Sequence, residues 1–411
     1  MQEPSPLQVG QNNIPMPQPG ESPMANMGAL LPQLQDENQQ EVVAYDEKNA
    51  SAIKVSEFFT IEDNEILPIT NITHLLDDQM LTDIGIAVCE GYEEDDQSMD
   101  EWTEQVENIK KLLKSEWTPK SHPWDGASNY KSALLKEVCL RFSDLASTHI
   151  LGPKDMLKCS ISEEEPDEQE VQSAKNATQY ANWQLNKEMK EWRDEMKALL
   201  YDLPVVGAVF KKVFYDYKRG RNVCRLIRYP DFVINQNTTS MHSFRRFTVR
   251  LPVAKNTAIA NIRCGSWRDI PLYESSDEEG HATQDHVQNF IEQDGFYDID
   301  GDGYEEPYIF VVHLESKEVV RIIPRFIPKY VYLKDNNTHE VYTLEDILGG
   351  QKLSSDFQIT EINDNSKISM YGLNQDTQRG FLPVGFGDAF GPMVSAINCL
   401  MNQLIDAGTL A

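Results

Sequence analysis

From Gly385 to Ala411 the chain contains no lysine, arginine or glutamate, and its only charged side chains are Asp388 and Asp406. Asp388 suits an N-cap, or Gly391 leads into Pro392 at the first helical position. Beyond that point Met393, Ile397, Leu400 and Leu404, with Val394, Met401 and Ile405, recur at helical spacing and form one apolar face. The opposite stripe is Ser395, Asn398, Asn402 and Asp406. A helix whose polar face meets water normally carries flexible charges there, whereas amides suit a face that hydrogen-bonds to protein. The stripe therefore reads as a subunit or channel face. The ordinary alternative is a helix packed on its own domain, its amides capping local backbone. Either way this stretch is built for packing, and the preceding residues lead up to it.

A chain of 411 residues with 40% hydrophobic content can bury two or three cores. It has no leading basic-plus-apolar signal and no run of eighteen apolar residues, so neither secretion nor membrane spanning is expected. The six cysteines stand singly, without a C-x-x-C pair, which fits reduced thiols rather than a disulfide frame or zinc cage. Residues 1–110 hold 23 Asp and Glu against 3 Lys and Arg, so −20 of the net −29 is N-terminal. Gripping DNA by phosphate neutralisation is disfavoured in so acidic a chain. Touching DNA without gripping it is not.

Residues 1–45, rich in Pro, Gln, Asn, Met and Gly and without periodicity, read as a disordered arm. Residues 46–203 are mainly helical. His74–Cys89 has a short helical pattern, and Glu93-Glu94-Asp95-Asp96 reads as a solvated acidic break. A helix over Glu101–Trp117 presents Trp102, Val106, Ile109, Leu112 and Leu113. After a loop full of breakers, Lys131–Leu151 is a helix with a wide apolar face of Leu134, Leu135, Val138, Phe142, Leu145, Ala146 and Ile150. One long helix is expected from Glu170 to Leu203, with Tyr180, Trp183, Leu185, Met189, Trp192, Met196 and Leu199 buried. Pro204 marks a change of class. Residues 204–380 carry strand-like runs at 205–215, 223–228, 232–235, 244–251, 307–313, 319–324 and 330–333, with 254–294 a mostly polar spacer. The order of elements implies an α+β fold with an antiparallel sheet, not an alternating βαβ array. Residues 381–411 form the closing helical segment.

The sharpest chemical motif is Asp298-Ile-Asp300-Gly-Asp302-Gly303, which matches the opening of a calcium loop. The bidentate Glu that should close such a loop is replaced by Ile309, although Glu305 or Glu306 has the chemistry to supply oxygens to a shorter one. An acidic turn between strands explains the same residues equally well. His281 and His286 with Asp277, Glu278 and Asp285 match no closed metal motif. Lys211, Lys212, Arg219, Arg221, Arg225, Arg228, Arg245, Arg246 and Arg250 are the one basic region, suited to phosphate contacts or to pairing with the chain's own carboxylates. No phosphate loop, H-E-x-x-H or G-x-S-x-G occurs, and no nucleophile–base set is visible, so no enzyme is expected.

Four stretches taken together carry a resemblance: Trp124–Glu137, Tyr201–Val213, Asp298–Ile309 and the closing Asp406–Ala411. In this order they resemble portal proteins of tailed bacteriophages, in particular the long portals of short-tailed phages, over roughly residues 100 to 411. The resemblance implies a homo-oligomeric ring, a dodecamer in that family, set at one capsid vertex beside the major capsid protein. Double-stranded DNA passes through such a ring without sequence readout, driven by the terminase large subunit, and tail or head-completion proteins bind it later. It implies assembly in the bacterial host cytoplasm and residence in the virion. On this reading residues 46–380 correspond to the wing and 381–411 to the start of the stem, and the family's clip and crown would follow residue 411. A calcium-dependent binding module using Asp298, Asp300, Asp302 and Glu305 is the alternative from a different class.

Overall fold

The computed structural model describes residues 58–62, 65–114, 120–121, 124–153, 156–161, 167–216, 219–241, 244–272, 287–299, 301, 303–335, 338–348, 357–363, 366–374 and 380–410. The chain divides into two units, Met1–Asp46 and Glu47–Ala411, and every described residue belongs to the second. The arm expected over 1–45 lies outside the described residues.

A hairpin of β1 (Phe59–Glu62) and β2 (Glu65–Pro68) comes first. Helix α1 (Asp78–Ser98) starts at Asp77, whose carboxylate accepts from Met80 N at 2.7 Å, and α2 (Asp100–Lys114) follows almost directly. Then come α3 (Leu134–Leu151), α4 (Glu168–Trp183) and α5 (Trp192–Val206). The strand-rich part opens with the hairpin β3 (Ala208–Asp216) and β4 (Arg221–Ile227), where Gly220 turns with φ +60°. Next are β5 (Phe232–Ile234), β6 (Phe247–Ala254), α6 (Lys255–Arg263), β7 (Val287–Tyr297), β8 (Glu306–His313) and β9 (Glu318–Pro324). Last are β10 (Val331–Asp335), β11 (Val341–Thr343), α7 (Leu344–Leu348), β12 (Phe357–Ile362), β13 (Ile368–Gly372) and α8 (Phe386–Leu410).

The fold is α+β with antiparallel sheets. Strands β5 to β9 make a five-stranded meander in sequence order, and β13, β3 and β4 make a three-stranded sheet. Phe210 of β3 joins the two, its ring 4.7 Å from Phe232 and 4.9 Å from Phe247. Leu81, Ile84, Val88 and Cys89 recur at helical spacing and bury one face of α1 on the meander. The main core runs from Phe58 to Val394, so residues before and after Pro204 share it.

Several expectations are corrected. The acidic run Glu93–Asp96 is not a break but part of the last turns of α1; Glu93 and Glu94 are exposed as expected, whereas Asp95 and Asp96 are drawn in. Asp95 is completely buried, bound by Arg246 through Nε and Nη2 at 2.9 Å each and by Asn235 Nδ2 at 2.9 Å. Arg246 also reaches Glu94 at 2.6 Å, and Arg250 spans Asp96 at 2.6 Å and the Tyr92 hydroxyl at 2.9 Å. Two arginines on and beside β6 thus neutralise a stretch whose composition alone looks water-bound.

The single helix expected from Glu170 to Leu203 is two helices. After Trp183 one π-helical turn, Gln184–Glu188, leads to Met189, which leaves the helical region at φ −89°, ψ 70°. The break lets α5 pack on α3 and β3, while α4 projects; Tyr180 and Trp183, expected in the core, are 53% and 51% exposed. Pro204 falls inside the last turn of α5, and Gly207 stops the helix at φ +91°. A Cβ at Gly207 would lie 2.4 Å from the Val384 carbonyl carbon, so the α5–β3 corner and the root of α8 approach as only glycine permits.

The spacer 254–294 hides α6 and β7, a central strand of the meander. Its polar residues conceal it because they are buried in pairs. Gln293 Nε2 donates to Thr248 Oγ1 at 3.0 Å, Glu292 binds Lys212 Nζ at 2.6 Å, and Asp294 lies 3.6 Å from both Lys212 and Arg325. Burial drives the Lys212 ammonium down, but Asp294 and Glu292 outweigh it and raise it above its ordinary value. Burial likewise works against the Glu292 carboxylate, and Lys212 overcomes it and holds that group low.

Candidate interaction surface

The helix begins earlier than the sequence implies: Phe386 opens it and Pro392 sits inside it. Gly387 faces the body so closely that a Cβ would come 2.3 Å from Ile109 Cγ2 of α2. One turn and more further on, Val394 is buried, and then Asn398, Asn402 and Asp406 continue the same inward side.

These three polar residues bind the irregular segment 127–132. Ser132 N donates to Asn398 Oδ1 at 2.8 Å. Asn402 brackets Tyr130, its Oδ1 accepting from Tyr130 N at 2.6 Å and its Nδ2 donating to Tyr130 O at 3.1 Å. Ser128 N donates to Asp406 Oδ1 at 2.8 Å, and Ser128 Oγ donates to Asn402 O at 2.8 Å. The stripe expected as a subunit or channel face therefore serves this chain's own backbone, and of its four members Ser395 alone is exposed. The physical reason is plain: 127–132 lies outside any sheet or helix, and side chains that both donate and accept satisfy its backbone.

With its polar side turned inward, α8 turns its apolar side out. Met393 is 55% exposed, Leu400 and Leu404 are each 66% exposed, and Phe390, Met401 and Ile405 are over a third exposed. Helix α3 lies beside it. Ser132 meets Asn398, and Phe142 meets Phe386 with ring centroids 5.4 Å apart, so α3 lies antiparallel to α8. On α3 the residues Leu134, Val138 and Leu145 are also exposed, Leu145 at 64%. The sequence expectation placed them in the core; only Leu135, Cys139, Ser143 and Leu151 of that helix are buried. The two helices that carry these bands meet at the contact of Phe142, Phe386 and Phe390. From Ala389 to Ile405 no side chain on α8 is charged, in a chain where charged residues make up 25%. Burying one leucine contributes about 1.5–3 kcal/mol, so leaving Leu400 and Leu404 in water forgoes a large stabilisation. Contiguous exposed apolar surface of this kind marks a binding face.

The other candidate residues have different uses. Asp298 Oδ1 accepts from Gly301 N at 2.6 Å and Oδ2 from Gly303 N at 2.9 Å, which closes the β7–β8 turn. Glu305 is paired with Arg245 at 3.0 Å. Asp300 and Asp302 lie outside the described residues, as do His281, His286, Asp277, Glu278 and Asp285. Among the described residues no three His, Cys, Asp or Glu are grouped so as to hold a metal ion. The basic region pairs with acids: Arg221 with Glu191, Arg228 with Asp202, Arg219 with Glu191 and Asp216, and Lys212, Arg246 and Arg250 as above. Arg221's hydrogen bonds hold the Glu191 carboxyl down to about 2. Lys211 is buried instead, its ammonium 5.5 Å from the Trp192 ring centre. A cavity of about 170 Å³ between α2, α3 and α5 is walled by Cys139, whose thiol burial pushes up to about 11, so it is protonated at neutral pH.

One signal for the α3 band was present in the sequence. Arg141 occupies the seam of Leu134, Val138 and Leu145 at the seven-residue position, and a charge in that register belongs to a surface. No family model matches this chain, and no curated protein is significantly similar to it. Among the described residues no helix is long and apolar enough to cross a membrane.

Proposed function

We propose that this protein is a structural subunit of a closed ring, of the kind that forms the portal of tailed bacteriophages, and that α3 and α8 carry its contact with the next copy. The observation that carries the reading is the inverted burial of α8: amides inward on its own chain, an uncharged apolar band outward. Closing a ring needs a surface of this type on every copy. Three of the four stretches behind the portal resemblance also meet at this helix. Residues 124–137 supply the strap and the start of α3, residues 201–213 contain Gly207 against the root of α8, and Asp406 of the closing stretch holds Ser128. On this reading the mixed body is the wing and α8 enters the stem.

Function follows from the ring. It sits at one vertex of the capsid beside the major capsid protein, and double-stranded DNA enters and leaves through its channel. The terminase large subunit, a separate ATPase, drives the DNA, and tail or head-completion proteins close the vertex. A net charge of −29 suits such a conduit, because each phosphate neutralised adds affinity and hence drag. The chain contributes no catalysis of its own.

Negative-stain microscopy of the purified protein tests the proposal. Closed rings with a central hole are the expected result. Uniform monomers at every concentration, or open filaments alone, contradict it.

A further inference from the structure

The ring reading leaves open what fills the α3–α8 surface of each copy, and a second feature of the chain answers it. Helix α4 is well built: Asp167 and Glu170 form a reciprocal capping box at its start. Asn182 ties it to one segment of the body, donating to Leu157 O at 2.7 Å and accepting from Leu157 N at 3.0 Å, and Thr178 Oγ1 accepts from Cys159 N at 3.0 Å. Away from that seam the helix is mostly exposed. On its outer side Tyr180 and Trp183 stack, centroids 5.9 Å apart and planes 28° apart, each about half exposed. A stacked pair on a capped helix is already ordered, so little side-chain entropy remains to be lost on docking. Tyrosine and tryptophan are also the residues that anchor interfaces.

The charge pattern matches this arm, helix α4, to the α8 side of that surface. Residues 176–186 contain no charged side chain, and neither do residues 389–405, whereas one residue in four of the chain is charged (25%). Cores of protein interfaces are depleted of charge in this way. Within one chain the arm and the surface leave each other exposed. Two unlike, uncharged patches on one chain that do not satisfy each other internally give a head-to-tail contact between copies, the arrangement that closes a ring.

We infer that Tyr180 and Trp183 of α4 dock on the apolar surface of α3 and α8 of a second copy, an inference that rests on the ring reading. Two variants test it, Tyr180→Ala with Trp183→Ala, and Leu400→Glu with Leu404→Glu. All four side chains are exposed, so each variant should melt like wild type. Each alone should weaken self-association by more than about thirtyfold, since anchor residues contribute about 2 kcal/mol or more. Mixed one to one, the two should form a discrete dimer and no ring, because only the arm of one and the surface of the other remain intact. Analytical ultracentrifugation reads all three samples. Rings that persist in the aromatic variant overturn the arm's role and leave the ring reading standing. Two monomeric variants that stay monomeric when mixed overturn the pairing of arm and surface. A wild-type chain that is monomeric at every concentration removes both readings together.

Discussion

The two longest helices of the body, α1 and α8, dispose of their side chains in opposite ways. Helix α1 buries Leu81, Ile84 and Val88 on the meander, and even its acidic end is enclosed by Arg246 and Arg250. Its binding capacity is met within the chain. Helix α8 buries Gly387, Val394 and Asn402, half-buries Asn398, and leaves Met393, Leu400 and Leu404 in water. A helix with this inverted burial is incomplete as folded and becomes complete against another surface. The difference separates the part of the molecule that makes the fold from the part that, on the ring proposal, would join copies.

The largest expected effect lies on the α1 side. Asp95→Ala leaves Arg246 partly buried without its bidentate carboxylate, and removal of one partner from a buried pair costs about 3–5 kcal/mol. Urea unfolding reads this as a lower midpoint at unchanged slope. If Asp95 were solvated as the sequence implies, the change would stay within about 0.5 kcal/mol.

On the α8 side, Asn402→Ala strands the Tyr130 amide and carbonyl and removes one Ser128 contact, a loss of about 2–3 kcal/mol at roughly 1 kcal/mol per hydrogen bond. Hydrogen exchange at Tyr130 should accelerate while exchange in β7 is unchanged below global unfolding. Unchanged protection at Tyr130 would mean that the amide stripe faces elsewhere.

Acid should weaken the body through His313. Burial holds this imidazole below its ordinary value of 6.5, against the pull of Glu315 and Glu318. The folded state then binds fewer protons than the unfolded one, so this contribution is complete above about pH 6.5 and declines as pH falls below it. His313→Asn, whose amide stands in for Nδ1 and keeps a partner for Ser316, should flatten that decline in a thermal-melt series between pH 7 and pH 5. An equal slope in both proteins would assign the acid sensitivity to other groups.

The smallest effect should be that of salt on self-association. The α8 side of the contact carries no charge from Ala389 to Ile405, and Arg141 on α3 is already paired with Glu137 at 2.6 Å, so raising sodium chloride from about 0.05 to 0.5 M should change the association constant less than about threefold. A fall of tenfold or more would place charges at the contact.

Much of the fold was legible because it follows local rules. The strands from Val223 to Leu333 other than β7, and the helix carrying Trp102, Val106 and Ile109, fall close to where alternation and helical spacing put them. What failed to show were places where tertiary partners override composition. Gln288, Gln293 and Asp294 make β7 look like a surface loop, and partners distant in sequence explain their burial: His313 for Gln288, Thr248 for Gln293, and Lys212 and Arg325 for Asp294. Glu93–Asp96 looks solvated until Arg246 and Arg250 arrive from β6 and its approach. At the candidate site the sequence identified α8 as a packing helix and its two stripes. It could not say which stripe faced inward, because that depends on 127–132, whose need for hydrogen-bond partners is invisible in a periodicity. Tyr180 and Trp183 were misplaced for a related reason: helical spacing gives a face, but the π-turn at 184–188 decides which helix has a body to pack on.

The central claim is that the outward band of α8 joins copies. Sedimentation equilibrium of wild type and of Leu400→Glu with Leu404→Glu, over one concentration series and with matched thermal melts, tests it most directly. Wild type should assemble and the variant should remain monomeric, with both melting within about 1 kcal/mol of each other in stability. Assembly of the variant as readily as wild type would contradict the account.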